Sequence, residues 1–379
     1  MYIKDPVHGL IKVIEKEIVN SPYMQRLNNI KQLANAYYVY PGGVHTRFNH
    51  SIGVMHLANK YAKHLFPGSE KTITILRVAA LLHDVCHGVG SHSYDNTVYQ
   101  HIYPGVEKGH DQHRITLIRT ELKETVEAYG ISVEDVIKVW NGENMLLHDI
   151  LQGELGADRM DFISRDSYFC GTKHLGTIAI DRIISNSTIL DGKLHYKVKI
   201  VDDIVHALTS RFYMYKHVYY HKTSIATSLL FENILKECIE PLHLIERTKN
   251  FKQFIFINDQ TLFGELLASK DVNLKTKENC RKLIQRKLPK MIWERVVSNE
   301  EYKRCLKEKN IIMENKVNVS NGCNVNLVFM ENKNIKSYTP KKLLLEDNGV
   351  SFNFDDIVNN INYNISLPKE YNILRIYKL

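Results

Sequence analysis

The stretch Ile73 to Leu82 (ITILRVAALL) is apolar almost all round and runs straight into His83-Asp84. A helix apolar on every side belongs in the interior of a sizeable domain, so this segment calls for a helical core with other elements packed around it. Two ionisable groups at the end of such a helix are costly to bury unless they are paired or bind a cation. An imidazole beside a carboxylate is a reasonable ligand pair for a divalent metal. Gly88 and Gly90 then break the helix and let the chain turn tightly. The run His83-Asp84-Val85-Cys86-His87-Gly88-Val89-Gly90-Ser91-His92-Ser93-Tyr94-Asp95 therefore gathers His87, His92 and Asp95 near the same place, and His110 follows.

A first-row metal needs more than two ligands. His50, in Arg47-Phe48-Asn49-His50-Ser51, opens a helical stretch and offers a second imidazole. Asp158, in Gly156-Ala157-Asp158-Arg159, offers a second carboxylate. In the segment DRMDFISRD, Arg159 and Asp166 are seven residues apart and share one helical stripe beside Asp158. A cation there suits a phosphate, and Asp166 suits a sugar hydroxyl. Arg211, Tyr215 and Tyr219 recur at four-residue spacing, which sets a guanidinium and two phenols on one helix face.

The 379 residues allow one large helical domain, or one domain plus a smaller lobe. We expect a mainly α protein: a helical core domain carrying the candidate ligands over residues 1–240, and a smaller C-terminal lobe over 241–379, first helical and then mixed α/β, packed on the core and involved in oligomerisation. Lys193 to Val201 alternates like a hairpin strand, and Phe251 to Ile257 is a short apolar, aromatic run. Alternation in Val317-Asn318-Val319 and Asn324-Val325-Asn326-Leu327-Val328 points to strands in the smaller lobe. Six scattered cysteines with no CxxC pair argue against a disulfide framework. No apolar run is long enough for a membrane span and the N-terminus lacks an apolar signal core, so an intracellular protein, cytoplasmic or nuclear, is expected. A net charge of +8 suits an anionic ligand such as a nucleotide, with weak nucleic-acid binding as a further consequence.

The pattern His50 … His83-Asp84 … Asp158 resembles the signature of the HD superfamily of metal-dependent phosphohydrolases. Further segments resemble one branch of it, the HD-domain deoxynucleoside triphosphate triphosphohydrolases, closest to the SAM-and-HD-domain type but without the SAM domain. These are Asp5-Pro6-Val7-His8-Gly9, Gln25-Arg26-Leu27, Ile30-Lys31-Gln32-Leu33, Tyr37 to Gly42, Arg47 to Ser51, His83 to His92, Ser164-Arg165-Asp166 and Tyr219 to Lys222.

The resemblance implies that His50, His83, Asp84 and Asp158 hold a divalent metal (Fe, Mn, Zn or Mg), and that His87, His92, Asp95 and His110 line the reaction centre, with His110 as proton donor. It implies phosphate contacts from Arg47, Arg159 and Arg211, and sugar 3′-hydroxyl contacts from Gln32 and Asp166. Leu33 and Tyr219 would crowd the 2′ position, and Tyr215 would complete the substrate wall. The implied reaction releases deoxynucleoside and inorganic triphosphate from a dNTP, in a homo-oligomer (dimer or tetramer) with an allosteric nucleotide contacted by Arg182 and Lys222.

Two departures stand out. Phe162 replaces the family's tyrosine, and Asn20 and Asn28 stand where the family's guanine site uses an acid and an arginine. The alternatives are another HD-type nucleotide phosphatase or phosphodiesterase, and a non-enzymatic nucleic-acid-binding scaffold supported by the basic stretch Arg281 to Lys290.

Overall fold

The computed structural model describes residues 1–298, 300–301, 304, 328–335, 343–360 and 371–378. Its first element is an antiparallel hairpin, β1 (Tyr2–Asp5) and β2 (Gly9–Lys12), joined by a turn over Asp5 and His8. Helix α1 (Arg47–Leu65) begins at Thr46, whose side chain accepts from the Asn49 amide while the Asn49 side chain accepts from the Thr46 amide. This reciprocal cap fixes where the helix starts, and so fixes Arg47 and His50 in its first turn.

Helix α2 (Glu70–Leu82) packs against α1 and is buried continuously from Ile75 to Leu82, as its all-round apolarity requires. After α2 the chain crosses His83 to Ser91 to a short helical turn at His92–Tyr94, then to α3 (Gly109–Thr120). Helix α4 (Ala157–Phe169) lies on α1, and they approach so closely at Gly53 that a Cβ there would come within 2.0 Å of an Asp161 carboxylate oxygen. Helix α5 (Val201–Met214) ends in a wider π-helical turn, Tyr215–Tyr219, before α6 (Lys222–Cys238).

The expectation of a mainly α fold with a smaller mixed lobe agrees with this arrangement. Strands β3 (Ser187–Leu190) and β4 (Lys193–Lys197) form a hairpin. The alternation to Val201 is not one strand. The strand ends at Lys197, and the chain turns helical at Val198–Ile200. Phe251–Phe254 is likewise a helical turn. Later strands are β5 (Lys290–Val297), β6 (Val328–Ile335), β7 (Leu344–Asp347), β8 (Val350–Asn353) and β9 (Tyr371–Lys378). They form a sheet of order β5-β9-β6, while β7 pairs in parallel with β4 to give β3-β4-β7-β8. One sheet thus joins the late segment to the helical core. The alternating residues Val317 to Val319 and Asn324 to Leu327 lie outside the described residues. No described helix is long and apolar enough to cross a membrane, and the described cysteines Cys86, Cys170, Cys238 and Cys280 are free.

Candidate active site

The cap on α1 places His50 one turn in, the end of α2 delivers His83 and Asp84, and the first turn of α4 supplies Asp158. His50 Nε2 lies 3.2 Å from His83 Nε2 and 3.1 Å from Asp158 Oδ1. His83 Nε2 is 3.6 Å from the same Asp158 oxygen and 3.4 Å from Asp84 Oδ1, and Asp84 Oδ2 is 3.8 Å from His50 Nε2.

The back of each ring fixes its tautomer. His83 Nδ1 sits 2.7 Å from the Ala80 carbonyl oxygen. That oxygen only accepts, so Nδ1 carries the hydrogen and Nε2 presents a lone pair. His50 Nδ1 faces Asp161 Oδ2 at 2.7 Å with the same consequence. Four ligand atoms therefore converge in a largely buried space, and their mutual repulsion must be relieved either by a shared metal or by a second proton on His50. Ligand atoms held about 2.1 Å from one metal sit roughly 3.0–3.4 Å from their neighbours, close to the spacing here. The site's demand for positive charge is also plain in its titration. Burial opposes charge on His50, yet the Asp158 and Asp161 carboxylates push it up to about 10. The donor set fits a divalent metal.

Next to the quartet, His87 Nε2 is 3.3 Å from Asp84 Oδ1, and its ring stacks on His110 at 3.6 Å. Burial, with Arg47 and His110 nearby, holds His87 well below the ordinary imidazole range, so it is neutral. His110 Nδ1 lies 2.8 Å from both oxygens of Asp95, and the His110 amide donates to Asp95 Oδ1. Burial opposes the Asp95 charge, but the bonds from His110 and His92 hold its carboxyl well below the usual range. His92 is 71% exposed, on the solvent side of this group.

Arg47 pairs with Asp84, and its Nε and Nη2 donate to Ser91 Oγ at 3.2 and 2.9 Å. Arg159 and Arg211 both pair with Glu154 Oε2, at 2.9 and 2.7 Å. Asp166 accepts from the Tyr219 hydroxyl and lies against His45 Nε2, each at 2.7 Å. Tyr215 packs edge-on to Tyr219, and the Arg211 guanidinium lies 5.6 Å from the Tyr215 ring centre. The π-helical turn replaces the regular spacing anticipated there and keeps these three side chains in contact.

Leu33, Phe162 and Tyr219 share one small apolar cluster, and the Phe162 ring lies 6.5 Å from His50. The Gln32 amide donates to the His45 carbonyl oxygen, while Gln32 Oε1 is buried with no hydrogen-bond partner among the described residues. Away from this centre, Arg182 is exposed and pairs with Asp203 at 2.5 Å. Lys222 lines a cleft with Lys282, Arg286, Lys287 and Lys290. Asn20 and Asn28 are both exposed.

Several partners were not evident from sequence. Glu154 has no local signal, because one of its arginines is 57 residues away. Ser91 takes a backbone φ of 55°, which side-chain-bearing residues rarely adopt, at the point where its hydroxyl receives Arg47. Asp161, three residues after Asp158 in the same helix, carried a weak positional signal.

Residues 47–166 match the HD domain family and residues 178–377 match the HD associated region. An uncharacterized protein of Methanocaldococcus jannaschii is 36% identical over 276 residues, covering 71% of this chain and 55% of that protein. A deoxynucleoside triphosphate triphosphohydrolase SAMHD1 homolog of Dictyostelium discoideum is 26% identical over 325 residues, covering 79% and 61% respectively. The chain thus spans just over half the length of these relatives. A crystal structure of a hypothetical protein from Aquifex aeolicus superposes with a TM-score of 0.82 at 26% identity, covering 100% of this chain and 96% of that one.

Proposed function

The chain belongs to the HD-domain family, with its HD associated region, and from that premise we propose that it hydrolyses deoxynucleoside triphosphates to deoxynucleoside and inorganic triphosphate. His50, His83, Asp84 and Asp158 would hold a divalent metal, which would lower the pKa of a nearby water and offset charge on the phosphoryl oxygens. The chain's own groups do the rest. Arg47, Arg159 and Arg211 hold the phosphates and stabilise negative charge as it spreads at the α-phosphorus. A water oxygen bonds to that phosphorus, giving up its proton to solvent, while the bond from phosphorus to the 5′-oxygen breaks. His110, oriented at Nδ1 by Asp95, gives a proton from Nε2 to the leaving 5′-oxygen. His87, His92 and Asp95 line this end of the pocket.

The observation that carries the substrate assignment is the buried, unpartnered Gln32 Oε1. Its backbone holds His45, which holds Asp166, so Gln32 and Asp166 belong to one hydrogen-bonded chain suited to a sugar 3′-hydroxyl. Leu33 and Tyr219 both pack against one small apolar cluster, and their bulk would crowd a 2′-hydroxyl. The test is to incubate the protein with each dNTP and NTP in Mn, Fe, Mg or Zn and separate the products by anion exchange. Inorganic triphosphate from dNTPs is the expected product. Orthophosphate or a nucleoside monophosphate would replace this assignment with a phosphatase or phosphodiesterase.

The cleft at Lys222 favours a second assignment, a regulatory nucleotide that promotes assembly into a dimer or tetramer. Five Lys or Arg side chains line it, and Arg182 belongs to the same proposal. Sedimentation with and without dATP tests it, and an assembly state indifferent to dATP would remove it.

A further inference from the structure

The turn Asp5-Pro6-Val7-His8 has no part in the chemistry above, yet its side chains reach the back of the metal centre. Asp161 is fully buried, and each of its oxygens faces two hydrogen-bonding groups. Oδ1 is 2.6 Å from His8 Nε2 and accepts from Arg165 Nη2 at 3.0 Å. Oδ2 is 2.7 Å from His50 Nδ1 and accepts from Arg165 Nε at 2.9 Å. Two carboxylate oxygens offer about four lone-pair sites, so all are in use.

The partners of Asp161 are held in turn. Arg165 Nη1 donates to Asp5 Oδ2 at 2.7 Å, and Asp5 Oδ1 accepts from the amides of Val7 and His8 at 2.9 and 2.8 Å. Those last two bonds shape the turn that presents His8. On the opposite side, Gly53 lies so close that any side chain there would strike Asp161. The two histidine ligands are therefore supported differently. His83 leans on a carbonyl of its own helix, three residues back, whereas His50 leans on a carboxylate set in place by a turn 153 residues away in sequence.

We propose that the N-terminal turn is a working part of the metal centre: His8, with Arg165, locks Asp161 so that Asp161 keeps the hydrogen on His50 Nδ1 and turns the Nε2 lone pair toward the metal. His8 and Asp161 are positioning residues in this scheme. It rests on the quartet being the metal site.

The test uses the full chain and the metal alone. Mn2+ affinity is measured by chelator competition, and Co2+ binding by its visible ligand-field spectrum, for wild type, Asp161→Asn, His8→Asn and His8→Gln. Replacing a group behind a metal-bound histidine costs 10- to 100-fold in affinity. Asp161→Asn turns one acceptor into a donor facing donors, so it should fall in the upper part of that range with an altered Co2+ spectrum. His8→Gln can donate from near the position of Nε2 and should stay within about threefold of wild type, while His8→Asn is too short and should lose roughly tenfold. Both His8 variants keep a polar side chain in the turn, so thermal stability separates them little while metal affinity does. Wild-type affinity and an unchanged Co2+ spectrum in His8→Asn would overturn the role of the turn. Equal losses in His8→Asn and His8→Gln would overturn it too, by tying the effect to general disturbance. If wild type itself binds neither metal, the quartet is not the metal site and the inference falls with it.

Discussion

In the candidate active site Arg47, Arg159 and Arg211 each face a carboxylate, Asp84 or Glu154. In the cleft at the start of α6, Lys222, Lys287 and Lys290 face none among the described residues. The two regions handle positive charge differently. Compensated guanidinium groups are held in position before a ligand arrives, and a metal at the proposed quartet would supply the excess charge. Uncompensated lysines attract any anion, over a range that salt shortens. The first arrangement suits chemistry at a fixed place, and the second suits adjustable occupancy.

The hardest blow to this contrast is struck at Asp84, which faces both the metal position and Arg47. Asp84→Asn should empty the centre of metal and lower turnover by at least about 10³-fold while the protein stays folded, as metal analysis and circular dichroism would check. A metal-free variant with full activity would undo the catalytic half of the comparison. His110→Ala should lower kcat by about a hundredfold and leave metal content nearly unchanged, since His110 is bonded through Nδ1 to Asp95 and is not one of the four proposed ligands. A substrate with a better leaving group should lose much less, and equal losses would remove the proton-donor role.

Leu33→Gly sharpens the comparison on the substrate side. It opens the apolar cluster shared with Tyr219 and Phe162, and should shrink the dATP-over-ATP preference in kcat/KM by roughly tenfold. An unchanged ratio would move the sugar edge elsewhere. The smallest effects belong to the cleft. Lys287→Ala should weaken dNTP binding there about threefold to fivefold, in a strongly salt-dependent way, with active-site KM nearly constant. Added GTP should change turnover less than about twofold, because Asn20 and Asn28 bring no charge and neutral hydrogen bonds are the weaker kind. Strict GTP dependence would show that guanine is recognised by other residues.

The two ends of α2 and α1 differ in how openly the sequence displays them. His83-Asp84 stands out because polar groups close a run with no polar face, and burial is a local property that a short window reveals. The sequence marks His50 only as opening a helical stretch, and the structure shows the short-range Thr46–Asn49 cap that sets this start. Arg211, Tyr215 and Tyr219 were placed together by helical spacing, although the chain actually brings them together through a π-helical turn. Glu154 is an ordinary letter in the sequence, and although His8 lies in a family-resembling motif and Asp161 lies near Asp158, only their partners show what either does.

The buried helix ends at Leu82, ahead of Gly88 and Gly90. Legible in the local sequence were that helix, the candidate ligand types at its end and the family pattern they form. Each depends on side-chain chemistry and on repeats within a few residues, where one turn of helix fixes which groups are neighbours. Only the tertiary structure decided which acid supports which base: Asp161 behind His50, Glu154 between Arg159 and Arg211, Tyr219 and His45 on Asp166. Such pairs join elements up to about 120 residues apart here. Their identity follows from how α1, α4 and the turn before α6 pack, since any buried carboxylate must take whichever donor the fold brings within reach.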